Sequence, residues 1–129
     1  MAKSNVEIIQ SLYAAFLKRD LLTILGGVDQ AIEVRQSELL PWGGTYTGLM
    51  GLKEFFSKLL ENVDSKVEFD RWIEAGDTVV AMGHTRGKVL ANGNEFDIVV
   101  AHVWKMKDGK AVSFEAYVDT PPLLKALGK

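Results

Sequence analysis

The sequence contains no cysteine, which excludes disulfide staples, thiolate nucleophiles and cysteine-type zinc sites. Histidine is nearly as scarce: His84 and His102 are the only two, too few for an imidazole-rich metal centre. No apolar run approaches the ~20 residues of a membrane-spanning helix, and the opening MAKSNVEIIQ lacks the apolar core of a signal peptide. The expected location is therefore cytoplasmic. Neither sign of charge is in excess. Fifteen Lys and Arg against seventeen Asp and Glu give a formal net charge of −2, so there is no basic stripe for nucleic acid or for an anionic membrane surface. Repeats and low-complexity segments are absent as well. What is present is 129 residues with 47% hydrophobic and 25% charged composition, which fits a single domain over 1–129 with one sizeable core.

Local patterns divide the chain in two. Ser4-x-x-Glu7 is a capping box, and Val6, Ile9, Tyr13 and Phe16 follow it at helical spacing. A short second helix fits Asp20 to Gly27, ended by Gly26-Gly27, and Ala31–Ser37 alternates as a first strand. The segment LLPWGGTYTG reads as a loop. Leu52, Phe55, Phe56, Leu59, Leu60 and Val63 then mark a third helix. From Lys66 onward the period is two. Strands fit Val67–Ile73, Thr78–Leu90, Phe96–Met106 and Ala111–Asp119, with turns at Asn92-Gly93 and Asp108-Gly109, and Pro121-Pro122 ends the ladder. Helices first and strands afterwards predict an α+β fold, with about three helices from the N-terminal half packed on a curved antiparallel sheet.

Two-residue turns in both hairpins would fix the facing pairs. Gly83 would face His102, His102 would face Glu115, Trp104 would face Ser113, and Val100 would face Tyr117. One sheet face would then carry Ala81, Gly83, Thr85, Val100, His102, Trp104, Ser113, Glu115, Tyr117 and Asp119. The other would carry Met82, His84, Val103, Phe114, Ala116 and Val118. The first face mixes small, aromatic and titratable residues, as a hollow would. The second is largely apolar and calls for a cover, most economically a second copy of the chain.

The phrases YAAFLKRD, PWGGTYTGLMGLKEFF, EAGDTVVAMGHTRGKV and AHVWKMKDGKAVSFEAYVDT, taken in this order, span nearly the whole chain. Together they resemble the nuclear transport factor 2-like superfamily, in its SnoaL-like and ketosteroid-isomerase-like branch. The resemblance implies a cone-shaped, cystatin-like roll: a strongly bent sheet wrapped round an apolar pocket, dimerising through the sheet's outer face. In the isomerases a helix Tyr and a strand acid form an oxyanion hole; Tyr13 matches the Tyr and His102 stands at the acid. The isomerase base position falls at Val34 or Arg35, and the catalytic Asp of the SnoaL-like cyclases falls on or near Ala116, beside Glu115. The epoxide-hydrolase-like members use an Asp-Arg-Asp set that Arg35, Glu115 and Asp119 could imitate.

These readings converge on a cofactor-independent acid/base enzyme of isomerase, cyclase, hydratase or dehydratase type, acting on a hydrophobic, cyclic small molecule and needing no metal. His102 and Glu115 would be the acid/base pair, Tyr13 an oxyanion donor and Arg35 an anion clamp. Trp42, Tyr46, Trp104, Tyr117 and Asp119 would contact substrate. His84, on the opposite face, reads as structural. The alternative is a non-catalytic ligand-binding or dimerisation module of the same fold, because the fold hosts many activities.

Overall fold

The computed structural model describes residues 3–129. The capping box forms as its spacing requires. Ser4 Oγ accepts from the Glu7 N–H at 3.1 Å, and Glu7 Oε1 accepts from the Ser4 N–H at 3.1 Å, so two amides that no helical carbonyl can reach are satisfied. They open α1 (Asn5–Leu17), whose stripe of Ile9, Leu12 and Ala15 is buried. Asp20 caps the short α2 (Leu21–Gly26). There follow β1 (Val28–Gln36), β2 (Gly44–Thr47), α3 (Gly48–Asn62), β3 (Val63–Ala75), β4 (Thr78–Val89), β5 (Glu95–Lys107), β6 (Lys110–Val118) and α4 (Thr120–Ala126). The expected loop thus contains a short edge strand, β2. Pro121 and Pro122 do more than stop the ladder: they sit in the first turn of α4, where a missing N–H costs nothing. No helix among the described residues is long and apolar enough to cross a membrane.

The six strands form one sheet in the order β2-β1-β6-β5-β4-β3. The α+β class stands, with helices of the N-terminal half packed on a curved sheet. One feature departs from the expected all-antiparallel ladder: β1 runs parallel to β6. Curvature has local causes. In β3, Phe69 faces Gly83 while Arg71 faces Met82, so Asp70 is an extra, bulged residue. A Cβ on Gly83 would lie 2.0 Å from the Glu68 carbonyl oxygen, so only glycine permits this close approach. The bulge also turns Phe69 and Trp72 to the same side, with ring centroids 5.3 Å apart.

The hairpin registers decide which side chains face inward. Between β4 and β5 the turn is wider than Asn92-Gly93 alone: Val89 N–H donates to Asn94 O at 2.8 Å, enclosing Leu90 to Gly93. The pairing slips by two residues, so that Ala81, not Gly83, faces His102. An even slip preserves the faces. The β5–β6 turn forms as expected, with Asp108 and Gly109 both at positive φ, 51° and 77°. Beyond it the register breaks: Met106 faces Ala111, but Lys105 faces Ser113, leaving Val112 as a bulge. A slip of one residue inverts the rest of β6. His102 therefore faces Ala116 rather than Glu115, Trp104 faces Phe114, and Glu115 faces Val103 on the outer side.

The core lies between the concave face of the sheet and the helices. Ile9, Ile32, Leu123, Val34, Val63, Val79 and Val100 are its most enclosed large side chains, each contributing roughly 1.5–3 kcal/mol by leaving water.

Candidate functional site

The inner face of β5 carries Val100, His102, Trp104 and Met106, all buried. Opposite them, α1 presents Tyr13. Trp104 Nε1–H donates to the Tyr13 hydroxyl at 2.9 Å, and the same hydroxyl lies 2.6 Å from His102 Nδ1. The direction of this chain follows from its members. Indole nitrogen can only donate, so the Tyr13 oxygen accepts from Trp104; the Tyr13 proton has no other acceptor among the described residues, which assigns it to Nδ1. The imidazole is then the tautomer protonated at Nε2, and no hydrogen bond joins Nε2 to any described residue.

Around this chain everything is aromatic or aliphatic. Phe114 meets the His102 ring edge-to-face at 5.1 Å, and Phe69 does so at 5.4 Å. Trp104 and Phe114 pack at 4.3 Å. Burial disfavours charge on both polar groups. It holds the imidazole pKa down from 6.5 to about 3. It pushes the Tyr13 phenol well above its ordinary value, against the smaller opposing effect of the Trp104 N–H. At neutral pH both groups are neutral.

The chain opens on a cavity of about 100 Å³ between the sheet and the helices, with Phe55, Phe56, Trp42, Phe114 and Trp104 among its walls. That is several times the space one water needs. Its few polar lining residues are Tyr13, His102, Gln36, Ser65 and Thr85, with no carboxylate, lysine or arginine among them. Trp42 is 2% exposed, and its Nε1–H has no hydrogen-bond partner among the described residues, an omission worth about 1–3 kcal/mol of unfavourable desolvation.

The expected site residues divide between two faces. Tyr13, His102, Trp104 and Trp42 gather at the cavity. Tyr46 is buried but does not line it: its hydroxyl donates to Trp42 O at 3.0 Å and to Gly43 O at 3.2 Å, pinning the loop that carries Trp42. Glu115 is not across from His102, because the Val112 bulge turns it outward. There its carboxylate accepts from the Tyr117 hydroxyl and lies 3.6 Å from Arg35. Arg35 is exposed and also meets Glu33 at 3.1 Å, so it does not project into the pocket; alternation in β1 points Val34 and Gln36 inward instead. Tyr117 is 55% exposed. Asp119 is exposed at the N-cap of α4, without a side-chain cap bond. His84 is bound at 2.8 Å to Asp97 on the outer face.

Sequence reasoning missed Gln36, Phe114 and Ala116 as lining residues. Gln36 was legible: it continues the Ile32, Val34 alternation. Phe114 and Ala116 depended on a bulge that no turn residue announces.

The family model of the SnoaL-like domain matches residues 9–114 of the chain. Among solved structures, an NTF2-like protein of unknown function from Burkholderia pseudomallei superposes with a TM-score of 0.92 at 24% identity, over 99% of this chain and 100% of that one. An NTF2-like protein from Burkholderia thailandensis is 30% identical, with a TM-score of 0.89 over 98% of each chain. TerC, co-crystallised with polyporic acid, is also 30% identical, with a TM-score of 0.89 over 97% of this chain and 98% of TerC. No curated protein matches the sequence.

Proposed function

The chain belongs to the SnoaL-like domain family, and on that premise we propose that it binds an apolar, cyclic small molecule and activates one of its oxygens through the His102 Nε2–H, as a cofactor-independent enzyme of isomerase, cyclase, hydratase or dehydratase type. The observation that carries this reading is the one-way chain from Trp104 N–H through the Tyr13 hydroxyl to His102 Nδ1. It leaves the His102 Nε2–H as a polarised donor on the wall of a largely apolar cavity.

The chemistry follows from the charge states. A neutral imidazole that resists protonation, joined to a phenol that resists ionisation, is poorly suited to exchanging protons. It is well suited to donating a hydrogen bond to a carbonyl oxygen that becomes negative on enolisation, the proton from carbon passing to a water molecule because the lining holds no carboxylate. In a dry site such a donor acts at high strength and needs no reorganisation. Tyr13 and Trp104 are positioning residues here: they hold the ring orientation and tautomer. Glu115 and Arg35, on the other side of the sheet, have no role at the cavity.

The absence of a carboxylate from the lining favours a second reading, a ligand-binding module without turnover. The relative TerC supplies a probe for both, because it was crystallised with polyporic acid. Polyporic acid added to the wild type is expected to shift the His102 imidazole ¹⁵N–H resonance and to be consumed over time. His102→Leu slows consumption by about 10²–10³-fold. Binding without consumption selects the module; a His102 resonance blind to the compound rejects the His102 role.

The outer face supports a second copy of the chain as its cover. Val99 and Tyr117 are exposed there, 59% and 55%, beside half-buried Met82, Ala101 and Val103.

A further inference from the structure

A cavity of about 100 Å³ is smaller than the roughly 150 Å³ of an apolar cavity known to hold benzene. A cyclic ligand therefore enters only if part of the wall gives way, and the walls are unequally held. His102 and Phe114 stand on strands locked into the ladder. Tyr13 is held by its hydroxyl, and Trp42 by the Tyr46 bond to its carbonyl. Phe16 of α1 and Phe56 of α3 are held by packing alone. Both line the cavity and both are half-buried, so each is wall and surface at once. Their rings stack with centroids 5.5 Å apart, and no hydrogen bond or ion pair joins α1 to α3 among the described residues.

One exposed residue does bear on this pair. The Arg19 guanidinium lies over the Phe16 ring, 4.3 Å from its centroid. Its Nη1 donates to Phe16 O at 2.8 Å, its Nη2 donates to Ser65 O at 3.2 Å, and Asp64 is 3.7 Å away. Arg19 thus ties the Phe16 turn to the start of β3. Its backbone makes this unusual. Helix α1 ends on a Schellman motif, with the Asp20 N–H on Ala15 O and the Arg19 N–H on Phe16 O, both at 2.9 Å. That motif puts Arg19 at φ 54°, a left-handed position where glycine fits without strain. The side chain that glycine would lack is the one that covers Phe16 and reaches Ser65.

We propose that the Phe16 and Phe56 rings are the gate of the cavity and that Arg19 is its latch. This rests on the reading above that a cyclic molecule binds here. The ligand passes between α1 and α3 when the two phenyl groups part, and its bound state keeps them parted, because the closed volume is too small for a ring. Rotating these side chains breaks no hydrogen bond, whereas moving the Trp42 loop breaks those of the Tyr46 hydroxyl. Parting the rings does draw Phe16 from beneath the guanidinium. A ligand that fits only the parted state binds more weakly by the fraction of molecules found in that state. The latch therefore sets affinity as well as admission.

The test follows cyclohexanone by NMR at millimolar concentration: a single ring with one carbonyl and no ring current of its own. In the wild type it is expected to shift the Phe16 and Phe56 ring resonances together with the His102 Nε2–H, and to leave the Trp42 indole where it was. Arg19→Gly removes the latch and relieves the left-handed strain, so the helix end is kept. It should tighten binding by about two- to fivefold, the reach of an exposed cation–π contact, through faster association. Phe56→Ala, which leaves the gate ajar, should speed association further. The phenyl readout in the wild type depends on no variant folding well. Phenyl shifts with an unchanged affinity in Arg19→Gly would strip Arg19 of its role. If His102 answers while both phenyl rings stay silent, the gate is wrong and the proposed reading stands. Phenyl shifts beside a silent His102 keep the gate and reject the His102 role. If none of these resonances responds, gate and reading fall together.

Discussion

The two faces of β5 and β6 treat ionisable side chains in opposite ways. On the inner face His102 has only neutral neighbours and stays neutral: a phenol on Nδ1 and aromatic rings on its sides. On the outer face Glu115, Arg35, Glu33 and Tyr117 meet one another in contact with water. The residue types expected to act together are thus split by the thickness of a single sheet. What separates them is one bulged residue, Val112. Chemical identity says what a side chain can do, while register parity says what it can do it to.

The comparison breaks most completely if the bulge is removed. Deleting Val112 would let the Asp108-Gly109 register continue through β6, turning Glu115 toward the cavity and Phe114 toward water. Burying that carboxylate and losing the aromatic wall together should cost more than about 4 kcal/mol. Urea unfolding should show either no cooperative transition or a midpoint far below the wild type. An unchanged midpoint would show that the bulge does not set the faces.

Acid sharpens it next. An unfolded histidine titrates near 6.5, whereas His102 in the fold titrates at about 3. Between those values the unfolded chain binds more protons, so stability from this residue is flat above about pH 6.5 and falls as pH drops toward 3. The loss is on the order of a few kcal/mol. His102→Phe should flatten that part of the stability–pH curve relative to the wild type, since the carboxylates contribute to both alike. Parallel curves would mean that the imidazole is wet.

The outer face should respond least. Glu115→Gln removes a partly exposed ion pair worth about 0–1 kcal/mol and should leave the His102 resonance where it was. Movement of that resonance would join the two faces again. Val99→Lys should convert a sedimenting dimer to monomer with the cavity unaffected, and a wild type already monomeric would remove the second copy from this face.

Most of the fold was legible, because it rests on period and punctuation. The capping box, the stripe of α1, the Asp108-Gly109 turn and the long alternating strands are each written within a few neighbouring residues. The β4–β5 slip was not, since Val89 pairs with Asn94 outside an apparently sufficient Asn92-Gly93 turn. It did no harm to the site because it was even. The β6 bulge was equally invisible, being a choice among long-range pairings, and it moved Glu115, Tyr117 and Asp119 away from the cavity. Tyr13 and His102 stayed together because α1 and β5 are set by their own patterns and owe nothing to β6.

The wide turn at Leu90 to Gly93 carries a consequence for how such a chain can change length over generations. Two residues gained or lost there slide β4 along β5 without exchanging inside for outside, so the pocket keeps its lining while its depth is adjusted. An insertion of two residues at this exposed tip therefore changes how far the cavity reaches while keeping its lining. The same parity holds at the Asp108-Gly109 tip, where two residues would keep the faces and the single extra residue at Val112 is what rewrites which chemistry the ligand meets.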